Sequence, residues 1–144
     1  MNGRAWTMED LPEIAKLELE CFPDPWTNRM LADSFLSDLF FGSLLEEEDG
    51  ITAYGGMHFA GDEAEIELIA TAEMYRRCGR GSKILQDLLE EAVRRNVKSV
   101  YLEVRVSNAE AQILYLKHGF RGIYTRSRYY PDGEDGIVMK KELR

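Results

Sequence analysis

Cysteine and histidine are both scarce in this chain. Cys21 and Cys78 are its only cysteines and lie far apart with no C-x-x-C spacing, which argues against a disulfide framework and against a zinc site. His58 and His118 are the only histidines, too few for a histidine-built metal centre and a thin basis for Ser-His chemistry, so no metal is expected. No apolar run approaches the ~20 residues of a membrane-spanning helix, and the first residues show no apolar signal-peptide core. The expectation is a cytoplasmic protein without a membrane partner. Basic charge is outweighed, with 18 Lys and Arg against 26 Asp and Glu and a net charge of −8. That balance disfavours a nucleic-acid partner and leans toward a cationic one, such as a basic peptide. Repeats, linkers and low-complexity segments are missing too, and 144 residues suffice for one domain, 1–144, with its own core.

Against this acidic background the stretch Tyr75-Arg76-Arg77-Cys78-Gly79-Arg80-Gly81-Ser82 stands out. Residues 64–71 before it (A-E-I-E-L-I-A-T) read as a strand. Residues 83–95 after it read as a helix, with Ile84, Leu85, Leu88, Leu89, Ala92 and Val93 at helical spacing. Gly79 and Gly81 remove the Cβ atoms that would keep a ligand off the backbone. The first amides of a helix have no intrahelical acceptor and carry the positive end of its dipole, and three arginines surround the same turn. The simplest partner for such a turn is a phosphate or pyrophosphate. It is neither a Walker loop, which needs Gly-Lys-Ser/Thr, nor the three-glycine dinucleotide fingerprint. A plain turn at a helix start is the alternative, and these eight residues do not separate the two.

The rest of the chain supplies the frame. Thr7 opens a T-x-x-D capping pattern with Asp10, followed by Leu11, Ile14, Leu17 and Cys21 as the apolar face of a first helix. The corner Phe22-Pro23-Asp24-Pro25-Trp26 ends it, and Thr27 caps a second helix that buries Met30, Leu31, Phe35 and Leu36. Residues 39–46 and 51–59 form a hairpin, and residues 64–71 extend it to a three-stranded meander. Residues 97–106 read as a strand with Val100, Leu102, Val104 and Val106 on one face and Tyr101, Glu103 and Arg105 on the other. Asn108 and Ala109 begin a further helix whose apolar residues are Ala111, Ile113, Leu114 and Leu116, ending at Gly119. Residues 120–130 and 136–140 are strands joined through Pro131-Asp132-Gly133. The order α-α-β-β-β-α-β-α-β-β implies an α+β, mixed α/β fold: a largely antiparallel sheet flanked by helices.

Glu103 is unusual as a carboxylate in mid-strand, where burial penalises charge. Either it pairs with Arg105 or a helix neighbour, or it stands at the edge of a cleft as a base. Tyr115, on the next helix, is either a core residue or a phenol aimed into that cleft. Trp26 on its proline-braced corner, and Tyr129 and Tyr130 beside Pro131, are candidate walls of a binding slot. Glu134 and Asp135 are acidic neighbours suited to an amine, with a solvated turn as the alternative.

The turn R-R-C-G-R-G-S, the run Y-L-E-V-R-V-S-N-A-E-A-Q-I-L-Y-L-K-H-G-F and the tail R-x-Y-Y-P-D-G-E-D-G-I-V-M-K-K resemble the GNAT acetyltransferases over nearly the whole chain. Within that superfamily they are most similar to the RimI-like branch, which acetylates the N-terminal alanine of a small-subunit ribosomal protein. The resemblance implies a central sheet with a splayed parallel pair and acetyl-CoA as cofactor. It implies that the pyrophosphate lies over the amides of Arg77, Cys78, Gly79, Arg80, Gly81 and Ser82, with Arg76 also binding the cofactor, that the pantetheine pairs with Ile69, Ala70 and Thr71, and that Asn108 flanks it. A backbone amide near Ala70 or Thr71 would polarise the thioester carbonyl. Glu103 matches the family's base and Tyr115 its acid, with a protein or peptide N-terminus as acceptor beside Trp26, Tyr129, Tyr130 and Glu134. Met74, Thr71, Arg76 and Gly136 depart from the residues common in relatives. Other N-termini or small amines as acceptors, and a CoA-binding domain without catalysis, are the competing expectations.

Overall fold

The computed structural model describes residues 2–143. Its elements are β1 (Gly3–Ala5), α1 (Leu11–Cys21), α2 (Asn28–Phe35), β2 (Phe40–Glu47), β3 (Gly50–Ala60), β4 (Glu63–Thr71), α3 (Arg80–Arg94), β5 (Ser99–Arg105), α4 (Ala109–Lys117), β6 (Arg121–Arg126) and β7 (Gly136–Glu142). They form a seven-stranded sheet in the order β1-β2-β3-β4-β5-β7-β6. All pairs are antiparallel except β4 and β5, which run parallel. The α+β expectation is met.

Several boundaries differ for identifiable reasons. β1 was not expected: three residues are too short to show a period, and tertiary contacts hold them. Arg4 forks onto Asp10 at 2.8 and 2.9 Å, and the Trp6 indole donates to the Ser43 carbonyl at 2.9 Å. The Asp10 carboxylate also accepts from the Thr7 amide at 2.7 Å, as the capping pattern implied, and the turn it closes is a single 3-10 turn ahead of α1. Thr27 caps α2 as expected, accepting from the Met30 amide at 3.2 Å. On that helix only Leu31 is buried, whereas Met30 and Leu36, expected in the core, are exposed.

Two apolar clusters sit on opposite faces of the sheet. One gathers Ile84, Leu85, Leu88 and Ala92 of α3 with Ala64, Ile66, Leu102 and Tyr115. The other gathers Ile14, Leu17 and Leu31 of the first two helices with Leu44, Tyr54, Leu68 and Ala70. Strand β4 feeds both because it contains a bulge: Met57 pairs with Ile66 and Gly56 with Leu68, leaving Glu67 as the extra residue. Up to Ile66 the even-numbered side chains face α3, and beyond the bulge Leu68 and Ala70 face α1 and α2. A bulge also bends its strand and strengthens the local twist.

That bend coincides with a fork. β4 and β5 pair only from Glu63↔Ser99 to Ile66↔Leu102. Beyond it β4 stays paired to β3 as far as Thr71, and β5 to β7 as far as Arg105. Residues 67–71 and 103–105 therefore face each other across a gap without ladder bonds.

Candidate active site at the fork

Of the expected site residues, Ile69, Ala70 and Thr71 lie on one side of this fork and Glu103 on the other. Ala72 donates its amide to Thr52 on β3 at 2.9 Å. Strand alternation then turns the N–H of Ala70 to β3 as well, and those of Ile69 and Thr71 into the fork. Ile69, Ala70 and Thr71 thus end a strand whose open edge offers pairing to an extended ligand.

At the tip of β4 the chain passes a 3-10 turn and enters α3, which starts at Arg80 rather than after Ser82. Gly79 caps it with a φ of 82°, a left-handed conformation that a side chain disfavours. The first helical bond at this end runs from Lys83 to the Gly79 carbonyl at 3.0 Å, so the amides of Arg80, Gly81 and Ser82 lack intrahelical acceptors. A Cβ built on Gly81 would meet Leu114 Cδ2 at 3.4 Å and Thr71 Oγ1 at 3.7 Å, which marks where β4, α3 and α4 come together.

The three arginines are all engaged by the chain itself. Arg80 makes a two-pronged pair with Glu47 at 2.7 and 2.8 Å, which holds the Glu47 carboxyl down at about 2. Arg76 donates to the Thr71 carbonyl at 3.0 Å, and Arg77 reaches Glu110 on α4 at 2.8 Å. Cys78 is exposed. The Ser82 hydroxyl lies 2.7 Å from His118 Nε2. What this loop holds out is chiefly backbone amide.

The opposite lip is β5. Glu103 is 15% exposed and lies 3.6 Å from Arg126, not paired to Arg105. Hydrogen bonding by its carboxylate, with burial, pushes the Tyr129 phenol up to about 12. Glu65 on β4 is raised by burial and by the negative charge of Glu103 and Glu67. Tyr115 is 5% exposed and packs edge-on to Phe120. It is the buried residue of α4, whereas Ile113 and Leu116, expected on the apolar face, are exposed; the face runs through Ala111, Leu114 and Tyr115. Burial raises the Tyr115 pKa above that of an ordinary tyrosine, with a smaller contribution from Tyr130, which also feels Glu103. Asn108 caps α4, accepting from the Ala111 amide at 3.1 Å.

Trp26 is half-buried against the α1–α2 cluster, and Tyr129 and Tyr130 pack edge-on at 5.0 Å. Glu134 is not a free acidic wall: it accepts from Arg105 at 2.9 Å and from the Ser107 amide at 2.9 Å, which lower its pKa. Sequence reasoning missed Glu18, 1% exposed, which accepts from the Trp26 amide at 3.0 Å and the Tyr54 hydroxyl at 2.6 Å. Burial raises its pKa. The spacing from Leu11 and Ile14 already placed position 18 on the buried face of α1.

The Acetyltransferase (GNAT) family matches residues 11–120, and the chain belongs to that family of acetyl-CoA-dependent N-acetyltransferases. It is 34% identical over 133 residues to the [ribosomal protein bS18]-alanine N-acetyltransferase of Escherichia coli K12, covering 90% of this chain and 89% of that one. The crystal structure of the ribosomal-protein-S18-alanine N-acetyltransferase from Escherichia coli superposes with a TM-score of 0.91 at 31% identity, over 99% of this chain and 93% of the other. Ard1 from Thermoplasma volcanium shares the fold at a TM-score of 0.91 and 24% identity, over 99% of this chain and 97% of that one. The residues present fit acetyl-CoA: an unpaired strand edge for an extended arm stands beside a glycine-opened helix start for a pyrophosphate. No helix among the described residues is long and apolar enough to cross a membrane.

Proposed function

We propose that the chain acetylates the α-amine of a protein N-terminus, with the N-terminal alanine of a small-subunit ribosomal protein as acceptor, and that it acts in the cytoplasm. The single observation that carries this reading is the fork itself, with an open cofactor edge on β4 and the Glu103 carboxylate on the facing lip. The names of the relatives support the choice of acceptor.

Bound acetyl-CoA supplies an acetyl thioester, which an amine converts to an amide with release of a thiol. The edge of Ile69, Ala70 and Thr71 would hold its extended arm, the amides of Arg80, Gly81 and Ser82 its pyrophosphate, and Asn108 would close the far side. The Thr71 N–H is the donor nearest the strand tip for a developing oxyanion. An α-amine has a pKa of about 7.7–8.0 and must lose a proton before it attacks. Glu103 takes that proton, directly or through one water, within a ternary complex. Tyr115, kept protonated by burial, would supply the proton that a leaving thiolate needs. Trp26, Tyr129 and Tyr130 wall the acceptor slot. Glu134 acts there through its contacts rather than by meeting the amine.

Thiol release is the assay, run with an Ala-Arg-initiated peptide, with Met- and Ser-initiated peptides, and with an N-terminally blocked peptide carrying free lysines. Rapid release with the free Ala peptide and none with the blocked one is expected. Turnover of the blocked peptide, or tight acetyl-CoA binding with no turnover, would overturn the α-amine assignment.

A further inference from the structure

Arg105 ends β5 two residues after Glu103, and its side chain is 18% exposed. Its guanidinium meets three carboxylates from two separate segments. Nη1 lies 2.8 Å from Asp132 and 2.9 Å from Glu134, both in the β6–β7 loop, and Nη2 lies 3.2 Å from Asp24 in the corner between α1 and α2. The same group stacks over the Tyr130 ring at 4.1 Å. Asp24 is flanked by Pro23 and Pro25 and precedes Trp26, while Asp132 and Glu134 follow Tyr129 and Tyr130. A planar fork of donors suits such multipoint pairing, which a lysine point charge does not reproduce.

We infer that Arg105 is a positioning residue that ties the Trp26 corner to the Tyr129–Tyr130 loop and so sets the geometry of the acceptor slot. The inference rests on the reading of these segments as acceptor walls. The corner is held from the inside by Glu18 on the Trp26 amide and from the outside by Arg105 on Asp24. On the loop side, Tyr130 accepts the stack, and the Gly133 amide closes the turn on the Tyr130 carbonyl at 2.8 Å. Each wall keeps its own local bonds when Arg105 is removed, but the link between the walls is lost.

The test is Arg105→Gln, with Arg105→Lys and Asp24→Asn beside it. Arg105→Gln is expected to raise the KM for the acceptor peptide by about tenfold or more, since small misplacements of positioned groups cost that much. Acetyl-CoA affinity stays within about twofold, because the cofactor edge lies on β4 and α3. Arg105→Lys recovers only part of the KM. Asp24→Asn shifts KM in the same direction, and adding it to Arg105→Gln produces little further change, as for two members of one contact. An unchanged peptide KM, or fully additive effects, would overturn the inference while leaving the acetyltransfer reading intact. Hydrogen exchange supplies a readout independent of the acceptor. Amides of residues 22–27 and 129–134 are expected to exchange faster in Arg105→Gln while those of β4 do not change. Equal protection in both segments would refute the link even if the acceptor were misassigned.

Discussion

On the α3 side of the fork Arg76, Arg77 and Arg80 are all turned to acceptors of this chain, and the groups left facing outward are the amides of Arg80, Gly81 and Ser82. On the β5 side the reverse holds. What distinguishes β5 there is side-chain chemistry: the Glu103 carboxylate lies 3.6 Å from Arg126 and accepts a hydrogen bond from the Tyr129 phenol. On the proposed roles, the cofactor lip would work through backbone geometry and the acceptor lip through side-chain chemistry. Side-chain deletions should be felt mainly in turnover on β5, and backbone distortions mainly in cofactor affinity at α3.

The largest break in that contrast comes from Glu103→Gln. Loss of a general base lowers kcat by roughly 10²–10⁴-fold. The loss is greatest below the ordinary α-amine pKa of about 7.7–8.0, where the amine arrives protonated. Acetyl-CoA affinity, measured by calorimetry, should not move. A rate profile that is unaltered across pH would take Glu103 out of the mechanism.

Tyr115→Phe comes next, with a loss of roughly 10²-fold in kcat expected for a missing general acid and little change in peptide affinity. Burial raises the Tyr115 pKa, so the phenol stays protonated where an exposed tyrosine, near 10, would begin to ionise. The wild-type rate should accordingly show no fall attributable to Tyr115 as pH approaches 10. A drop in melting temperature with kcat unchanged would make the residue purely structural.

The α3 side predicts the opposite pattern. Gly79 sits at φ 82°. A β-branched residue there strains the loop by about 1–2 kcal/mol. Gly79→Val should weaken acetyl-CoA binding by roughly tenfold, the factor that 1.4 kcal/mol carries. Arg77→Ala, which removes a largely exposed pair with Glu110, should change binding far less, since such pairs contribute about 0–1 kcal/mol. Equal losses from the two changes would return the arginines to the cofactor.

Much of this was legible before any coordinates. The glycine-bearing turn between strand and helix, the alternation of β5 and the capping residues Thr7, Thr27 and Gly119 follow from local rules, and local rules placed them. The fork was available only through resemblance, because it coincides with a bulge at Glu67 that no two-residue period reveals. The partners of the loop arginines were hidden for a related reason. Glu47 lies 33 residues from Arg80, and Glu110 lies 33 from Arg77, so composition signals charge without saying where it is consumed. Glu18 was within reach: spacing from Ile14 puts it on the buried face of α1, and its polar character obscured it.

The smallest effect sharpens the acceptor side. A Cβ at Gly136 would lie 3.2 Å from both Tyr129 Cδ2 and Tyr130 Cε2, closer than ordinary packing allows, although the rings can yield by a few tenths of an ångström. Gly136→Ala should therefore leave folding and cofactor binding intact. Because the tyrosine pair is displaced rather than removed, the peptide KM should shift by no more than about threefold, well under the cost of a full misplacement. A shift in acetyl-CoA affinity instead would mean that the tyrosines lean on the cofactor. That would dissolve the division between a backbone lip and a side-chain lip.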